Sequence, residues 1–159
     1  MNLQDAKNLT ISLMDKHGLL DKAWHFQFDN AKNRFGCCNH TQKRISLSKS
    51  LVALNDEARV KNTILHEIAH ALVGGSHGHD YVWRSKAIEI GCNGERCFSS
   101  RNTEIPESKY IAKCVGCGKV HTRHKMTRSV KFGSSSCAPC SGGRYNPTYK
   151  LIWVDNPNY

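Results

Sequence analysis

His66 and His70 stand four residues apart, with Glu67 between them, inside the run Thr63-Ile64-Leu65-His66-Glu67-Ile68-Ala69-His70-Ala71-Leu72. Positions four apart lie on one face of a helix, one turn from each other. Val60, Ile64, Leu65, Ile68, Ala69 and Leu72 form an apolar stripe on that helix, so two imidazoles and a carboxylate share surroundings that disfavour polar groups. A metal ion resolves the conflict. Two histidines at this spacing reach a single zinc at about 2.0–2.1 Å. Glu67, next to the first of them, can reach water at the metal without being a ligand.

Asn55-Asp56-Glu57 opens this helix, with Asn55 expected to cap its free amides, and Gly74-Gly75 ends it. A short turn follows. Asp80 is placed to cap a second helix carrying Tyr81, Val82, Trp83, Ala87, Ile88 and Ile90, which stops at Gly91. A catalytic zinc takes three protein ligands and keeps one position open. His77, His79, Asp80 and Glu89 are the candidates for the third ligand. Ser76 stands where the metzincin pattern needs a histidine, which excludes that layout. Glu89, in the second helix, would give a thermolysin-like site. A further donor is needed for the oxyanion, and His77 and Tyr81 are within range in sequence.

Upstream, Leu3, Ala6, Leu9, Leu13 and Met14 have helical spacing, and Gly18 is a stop. Trp24, Phe26 and Phe28 alternate with polar residues as in a half-buried strand, and residues 34–40 and 43–48 read as two more. The expected fold class is α+β, with helices and a small antiparallel meander over residues 1–105. Residues 92–108, with Gly94, Ser99, Ser100, Asn102 and Pro106, read as a connection. A second module is expected over residues 106–159.

The second module is defined by Cys114-Val115-Gly116-Cys117 and Cys137-Ala138-Pro139-Cys140. Two Cys-x-x-Cys pairs, with room for a hairpin between them, predict a four-thiolate structural zinc. The N-terminus lacks a basic patch followed by an apolar stretch, so a cytosolic or nucleoid setting is expected, where paired cysteines serve as ligands before disulfides. Cys37, Cys38, Cys92 and Cys97 read as small buried residues or free thiols. No apolar run reaches the roughly 18 residues of a membrane span. Residues 1–95 hold 12 Lys/Arg against 10 Asp/Glu, whereas residues 96–150 hold 11 against 2. Lys113, Lys119, Arg123, Lys125, Arg128, Lys131 and Arg144 surround the cysteines, interleaved with His121, His124, Tyr145 and Tyr149. Such a density of cations and rings points to nucleic acid.

His66-Glu67-Ile68-Ala69-His70, the turn His77-Gly78-His79, then Trp83 and Gly91 together resemble the SprT-like metallopeptidase family, which includes the Spartan proteases. Phe35-Gly36-Cys37 and Ile45-Ser46-Leu47-Ser48 resemble the strand pair that precedes the family's active-site helix. The family supplies its third ligand from a His-Gly-x-x-aromatic element. His79 with Trp83 has that spacing, although Asp80 replaces the glycine. His77-Gly78 with Tyr81 is the second frame, and His79 is favoured. The resemblance implies a minimal zincin-like core followed by a zinc ribbon. It also implies one catalytic and one structural Zn2+, Glu67 as general base, and cleavage of proteins, in some members of proteins attached to DNA. Two rivals are a nucleic-acid-binding protein with two structural zincs and a zinc hydrolase of another bond. The presence of Glu67 speaks against the first.

Overall fold

The computed structural model describes residues 1–96, 103–131 and 133–159. The chain divides into two compact units, Met1–Pro106 and Glu107–Tyr159. The class is α+β. Among the described residues, no helix is long and apolar enough to cross a membrane.

The first unit opens with α1, Leu3–Lys16, capped by the Asn2 side chain, which accepts from the Gln4 amide. Gly18 at φ +64° turns the chain out of it. Three strands follow: β1 (His25–Asp29), β2 (Gly36–Asn39) and β3 (Arg44–Ser48). Their order is β1-β3-β2. β2 and β3 are antiparallel, with Cys38 opposite Ile45. β1 and β3 run parallel, with Phe26 opposite Ile45 and Phe28 opposite Leu47. The sheet is therefore mixed, not an antiparallel meander. Burial explains the order: Ile45, Ser46, Leu47 and Ser48 are all buried, which only a central strand allows, whereas β1 exposes His25 and Gln27. The two buried serines are satisfied by Asp29 Oδ2 (2.8 Å) and the Ala31 carbonyl (2.6 Å).

Ser48 then caps a short helix, α2 (Lys49–Leu54), by accepting from the Leu51 amide. Six residues are too few to establish a helical period, so this helix has no clear signal in the sequence. The long helix α3 (Glu57–Val73) is capped by Asp56, not Asn55: the Asp56 carboxylate accepts from the Arg59 amide at 2.7 Å. Asn55 serves another purpose. Its Nδ2 donates to the carbonyls of Leu51 (2.8 Å) and Glu104 (2.9 Å), and its Oδ1 accepts from the Glu104 amide (2.9 Å). One buried amide thus pins the end of α2 to the connection that leaves the unit. After α4 (Tyr81–Glu89), Gly91 at φ +94° reverses the chain.

α3 is buried on two sides. Val60, Ile64 and Ile68 pack with Ala6 and Met14 of α1, Leu51 and Val52 of α2, and Ile45 and Leu47 of β3. Each such aliphatic side chain contributes about 1.5–3 kcal/mol of transfer free energy. Leu65 and Ala69 pack instead with Trp83, Ala87 and Cys92. Two cores thus hold α3 on two faces about 120° apart and leave the third, which carries the histidines.

The second unit is a three-stranded antiparallel sheet in the order β5-β4-β6, built from β4 (Tyr110–Lys113), β5 (Val120–Arg123) and β6 (Val154–Asp155). The hairpin β4–β5 turns around the first Cys pair and does not lie between the two pairs. Between the pairs the chain runs through β5 and the short α5 (Arg128–Lys131). The second pair sits at the start of α6 (Ala138–Ser141). Among the described residues, the buried cluster consists of Ala112, Cys114, Cys137 and Leu151, with Tyr149 and Trp153 against it. That is a small core for a unit of this length, and such folds need a staple.

Candidate metal centres

α3 carries His66 and His70 on the face that the two cores leave, with Glu67 beside them. At Gly74 (φ +92°) the helix stops, its amide still bonded to the His70 carbonyl. Asp80 then restarts the chain as α4, accepting from the Trp83 amide at 3.0 Å. The turn between these two ends returns His79 to the helix. His79 Nε2 lies 3.0 Å from His66 Nε2 and 3.2 Å from His70 Nε2.

These distances decide the chemistry. A single ring nitrogen carries at most one proton, so a neutral His79 cannot donate to both neighbours, nor they both to it. Three nitrogens at tetrahedral angles around a zinc at about 2.05 Å would be about 3.3 Å apart. The observed spacing is close to that. The rings are also set as ligands: the Glu95 carbonyl accepts from His66, and the His77 carbonyl accepts from His70. Since each Nε2 faces His79, the donating atom is Nδ1, which leaves the Nε2 lone pair for a cation. Burial pushes His66 down to about 3 and His70 to about 4, with the neighbouring histidines adding to the effect. Both are therefore neutral ligands at neutral pH. Buried Trp83 touches all three rings, with centroids 4.6 Å from His66 and His79 and 5.1 Å from His70, the last nearly stacked.

The other third-ligand candidates are engaged elsewhere. His77 Nδ1 lies 2.8 Å from Asp80 Oδ2, and Glu89 binds Lys86 Nζ at 2.6 and 2.7 Å. His77 lines the same cleft as the three imidazoles; Tyr81 is 84% exposed and does not.

Glu67 is only 7% exposed. Its place is set by β2. A Cβ on Gly36 would fall 2.6 Å from Glu67 Oε1 and 2.7 Å from its Cγ, so the carboxylate occupies the volume that glycine leaves. The Cys38 amide bonds to it. Burial raises the Glu67 carboxyl to about 8, against the opposing pull of Arg34 and that amide; a dication alongside lowers it again. Gly36→Ala is therefore expected to displace the carboxylate and leave the histidines in place. Metal content should be unchanged, as read by metal analysis of the zinc-loaded variant. Loss of zinc instead would mean that β2 supports the ligands and not Glu67.

The second centre is in the other unit. Cys114 Sγ lies 3.8 Å from Cys140 Sγ, and Cys117 Sγ lies 3.7 Å from Cys137 Sγ. Four thiolates around a zinc at about 2.3 Å would be about 3.8 Å apart, whereas a disulfide needs about 2.05 Å. All four sulfurs lie within 4.8 Å of one another. The Gly116 amide donates to Cys114 Sγ at 3.3 Å, and a Cβ at Gly116 would strike the Tyr149 ring at 2.7 Å. Amides from Cys117 and Gly116 hold the Cys114 thiol down to about 7. The hydrogen bond with Cys117, together with desolvation, pushes Cys140 up to about 12. Four thiolates therefore gather here only around a cation.

A model of the SprT-like family matches residues 9–109. The chain belongs to the SprT-like family. Searches of curated proteins and of solved structures returned no match. The matched span of this SprT-like chain contains the histidine centre and its supports; the four cysteines lie beyond it.

Lys119, Lys125, Arg128 and Arg144 are exposed, and Arg123 lies over the Trp153 ring at 5.1 Å. Lys131 is in α5, its side chain outside the description. Cys92 is buried and donates to the Asn62 carbonyl, and Cys38 Sγ lies 3.6 Å from His40 Nε2. None of Cys37, Cys38 and Cys92 joins a metal cluster among the described residues, and Cys97 lies outside them. The roles of Gly36 and Cys38 toward Glu67, and of the Glu95 and His77 carbonyls toward the rings, had no local sequence signal.

Proposed function

We propose that the chain is a zinc-dependent peptidase that hydrolyses peptide bonds, with its cysteine unit holding nucleic acid near the substrate. The observation that carries the reading is the pairing of a buried carboxylate with three convergent imidazoles in one cleft. The cleft has a volume of about 500 Å3 and is lined by Glu67 and all three histidines. A purely structural metal site has no use for Glu67, whose burial is costly. An open cleft is likewise what a substrate needs and a closed structural site lacks.

His66, His70 and His79 would hold a zinc ion, which would supply Lewis acidity and make water in the cleft more acidic. Glu67 would accept a proton from water at a carboxylate oxygen and return it to the departing amine nitrogen. Gly36 and the Cys38 amide hold the carboxylate for both transfers. His77, which lines the cleft and contacts Asp80, would be the donor to the oxyanion.

The cysteine unit supplies the second half of the proposal. Its exposed cations are spread over β4, α5 and the loops around the cysteines, where they can contact phosphates, and Tyr145 is 52% exposed for stacking. DNA is the polyanion that the family relationship favours.

The test is direct. Zinc-loaded protein should degrade casein or histones, and a chelator should stop it. Single-stranded or duplex DNA should bind at low salt, lose affinity steeply as salt rises, and raise the cleavage rate of DNA-bound proteins. Intact casein and histones would remove the peptidase reading; no binding at low salt would remove the nucleic-acid half.

A further inference from the structure

Asn62 stands on α3 four residues before His66, one turn away on the same face. Its side chain makes a two-way connection to Asn93, which follows α4. Asn62 Oδ1 accepts from the Asn93 amide at 2.9 Å, and Asn62 Nδ2 donates to Asn93 Oδ1 at 3.2 Å. Asn93 Oδ1 also accepts from the Glu95 amide at 3.1 Å, which closes a tight turn over residues 93–95. A backbone N–H can only donate, so the side-chain atoms facing the Asn93 and Glu95 amides are oxygens, and both asparagine orientations are fixed. Gly94 makes the turn possible: its φ is +69°, and a Cβ there would lie 3.1 Å from Ile88 Cγ1. The buried Cys92 thiol adds a third tie, donating to the Asn62 carbonyl at 3.7 Å. The turn is thus fastened to α3 just before the histidine pair, and from it the Glu95 carbonyl meets the His66 ring.

The bonds between the two asparagines are exposed to solvent, where a hydrogen bond adds little net stability. Their effect is geometric. An imidazole turns about its side-chain bonds, and Nε2 keeps facing an ion only while Nδ1 donates to a fixed acceptor. The Glu95 carbonyl belongs to no helix or strand. Its position therefore depends on Asn93, and that of Asn93 on Asn62. We infer that Asn62 is a positioning residue for the metal: through Asn93 it holds the Glu95 carbonyl where His66 Nδ1 donates to it, and so aims His66 Nε2 at the ion. The inference rests on the zinc centre of the proposed reading and is independent of which bond is hydrolysed. It gives the two side chains unequal tasks. Asn62 uses both its oxygen and its NH2, whereas Asn93 uses only its oxygen among the described residues.

The experiment uses the full chain. Zinc affinity at the imidazoles is measured by chelator competition, with occupancy read from the His66 ring signals by NMR. Asn62→Asp keeps the acceptor and loses the donor, so it should weaken this zinc about 10–100-fold, the usual effect of removing such support. Asn93→Asp keeps the oxygen that both donors use and should bind zinc at least as tightly as wild type. If added negative charge were all that mattered, both substitutions would tighten the metal. Asn93→Ala should weaken zinc as Asn62→Asp does, and the two together should lose no more than either alone, because they break one device. A second readout is exchange of the His66 Nδ1–H with water in the zinc-loaded protein. It should be slow in wild type and in Asn93→Asp, and at least about 10-fold faster in Asn62→Asp and Asn93→Ala. Should Asn62→Asp not fold, the contrast between Asn93→Asp and Asn93→Ala decides. If wild type holds no zinc at the imidazoles, the zinc reading fails, and the same exchange comparison on the metal-free chain decides the positioning role. Wild-type affinity in Asn62→Asp, weakened zinc in Asn93→Asp, or lost affinity with unchanged Nδ1–H exchange would overturn the inference.

Discussion

Glu67→Gln is expected to keep its zinc and lose peptide cleavage, with kcat lowered by about 10^2–10^4-fold. The amide has the same shape and enters the same space beside Gly36, where its oxygen can still accept from the Cys38 amide. It cannot take a proton. The ligands are untouched, because their support comes from the Glu95 and His77 carbonyls and not from Glu67. Metal analysis and single-turnover cleavage measured on the same sample test both halves. A variant that cuts as fast as wild type would remove the carboxylate from the reaction. The metal-free protein offers a second readout. Its Glu67 carboxyl is raised from 4.5 to about 8, so the folded state binds a proton there that the unfolded chain releases. The Glu67 contribution to the stability of the metal-free protein is therefore full below about pH 4.5 and is lost as pH rises toward about 8, whereas His66 and His70, held below 6.5, take stability away as pH falls. Denaturation curves of metal-free Glu67→Gln should lack that decline.

Cys137→Ser should abolish the fold of residues 107–159 while leaving the first unit intact. Cys137 is fully buried and faces Cys117 at 3.7 Å, so its loss opens the tetrahedron from inside the small core. Zinc contributes about 10–16 kcal/mol to the folding of comparable zinc-finger peptides at neutral pH. The apolar residues around it cannot replace that: Leu151 is worth about 1.5–3 kcal/mol, and Ala112 less. Zinc should fall from two per chain to one. Limited proteolysis should digest the C-terminal third and spare Met1–Pro106, and the amide signals of residues 107–159 should collapse to random-coil shifts. A well-dispersed C-terminal unit after the substitution, or after chelation, would show that the cysteines do not hold it together.

What could be read from the sequence follows the range of each interaction. His66, Glu67 and His70 are close in sequence and share one helix, so period and spacing suffice to bring them together. The choice among His77, His79, Asp80 and Glu89 depended on how the chain leaves Gly74, and only backbone geometry fixes that. The edges of α3 and α4 were legible from Gly74, Asp80 and Gly91, but Asn55 and Asp56 are both good caps in isolation. What separates them is Glu104, far along the chain, which claims the Asn55 side chain for itself. The parallel β1–β3 pair was hidden for a similar reason. Alternation in Trp24, Phe26 and Phe28 marks a strand without naming its neighbour, and only the burial of all four residues from Ile45 to Ser48 places β3 in the middle.

The turn at Gly74 has a consequence for how the protein assembles. All three imidazoles come from residues 66–79, so closing that ring around an ion costs little chain entropy. The carboxylate depends instead on Gly36 and Cys38, some thirty positions earlier, and is placed only once the sheet has docked. A chain with just the helical hairpin formed already holds all three imidazoles together, whereas the carboxylate waits for long-range contacts. Gathering the ligands and placing the carboxylate are thereby separate events in assembly.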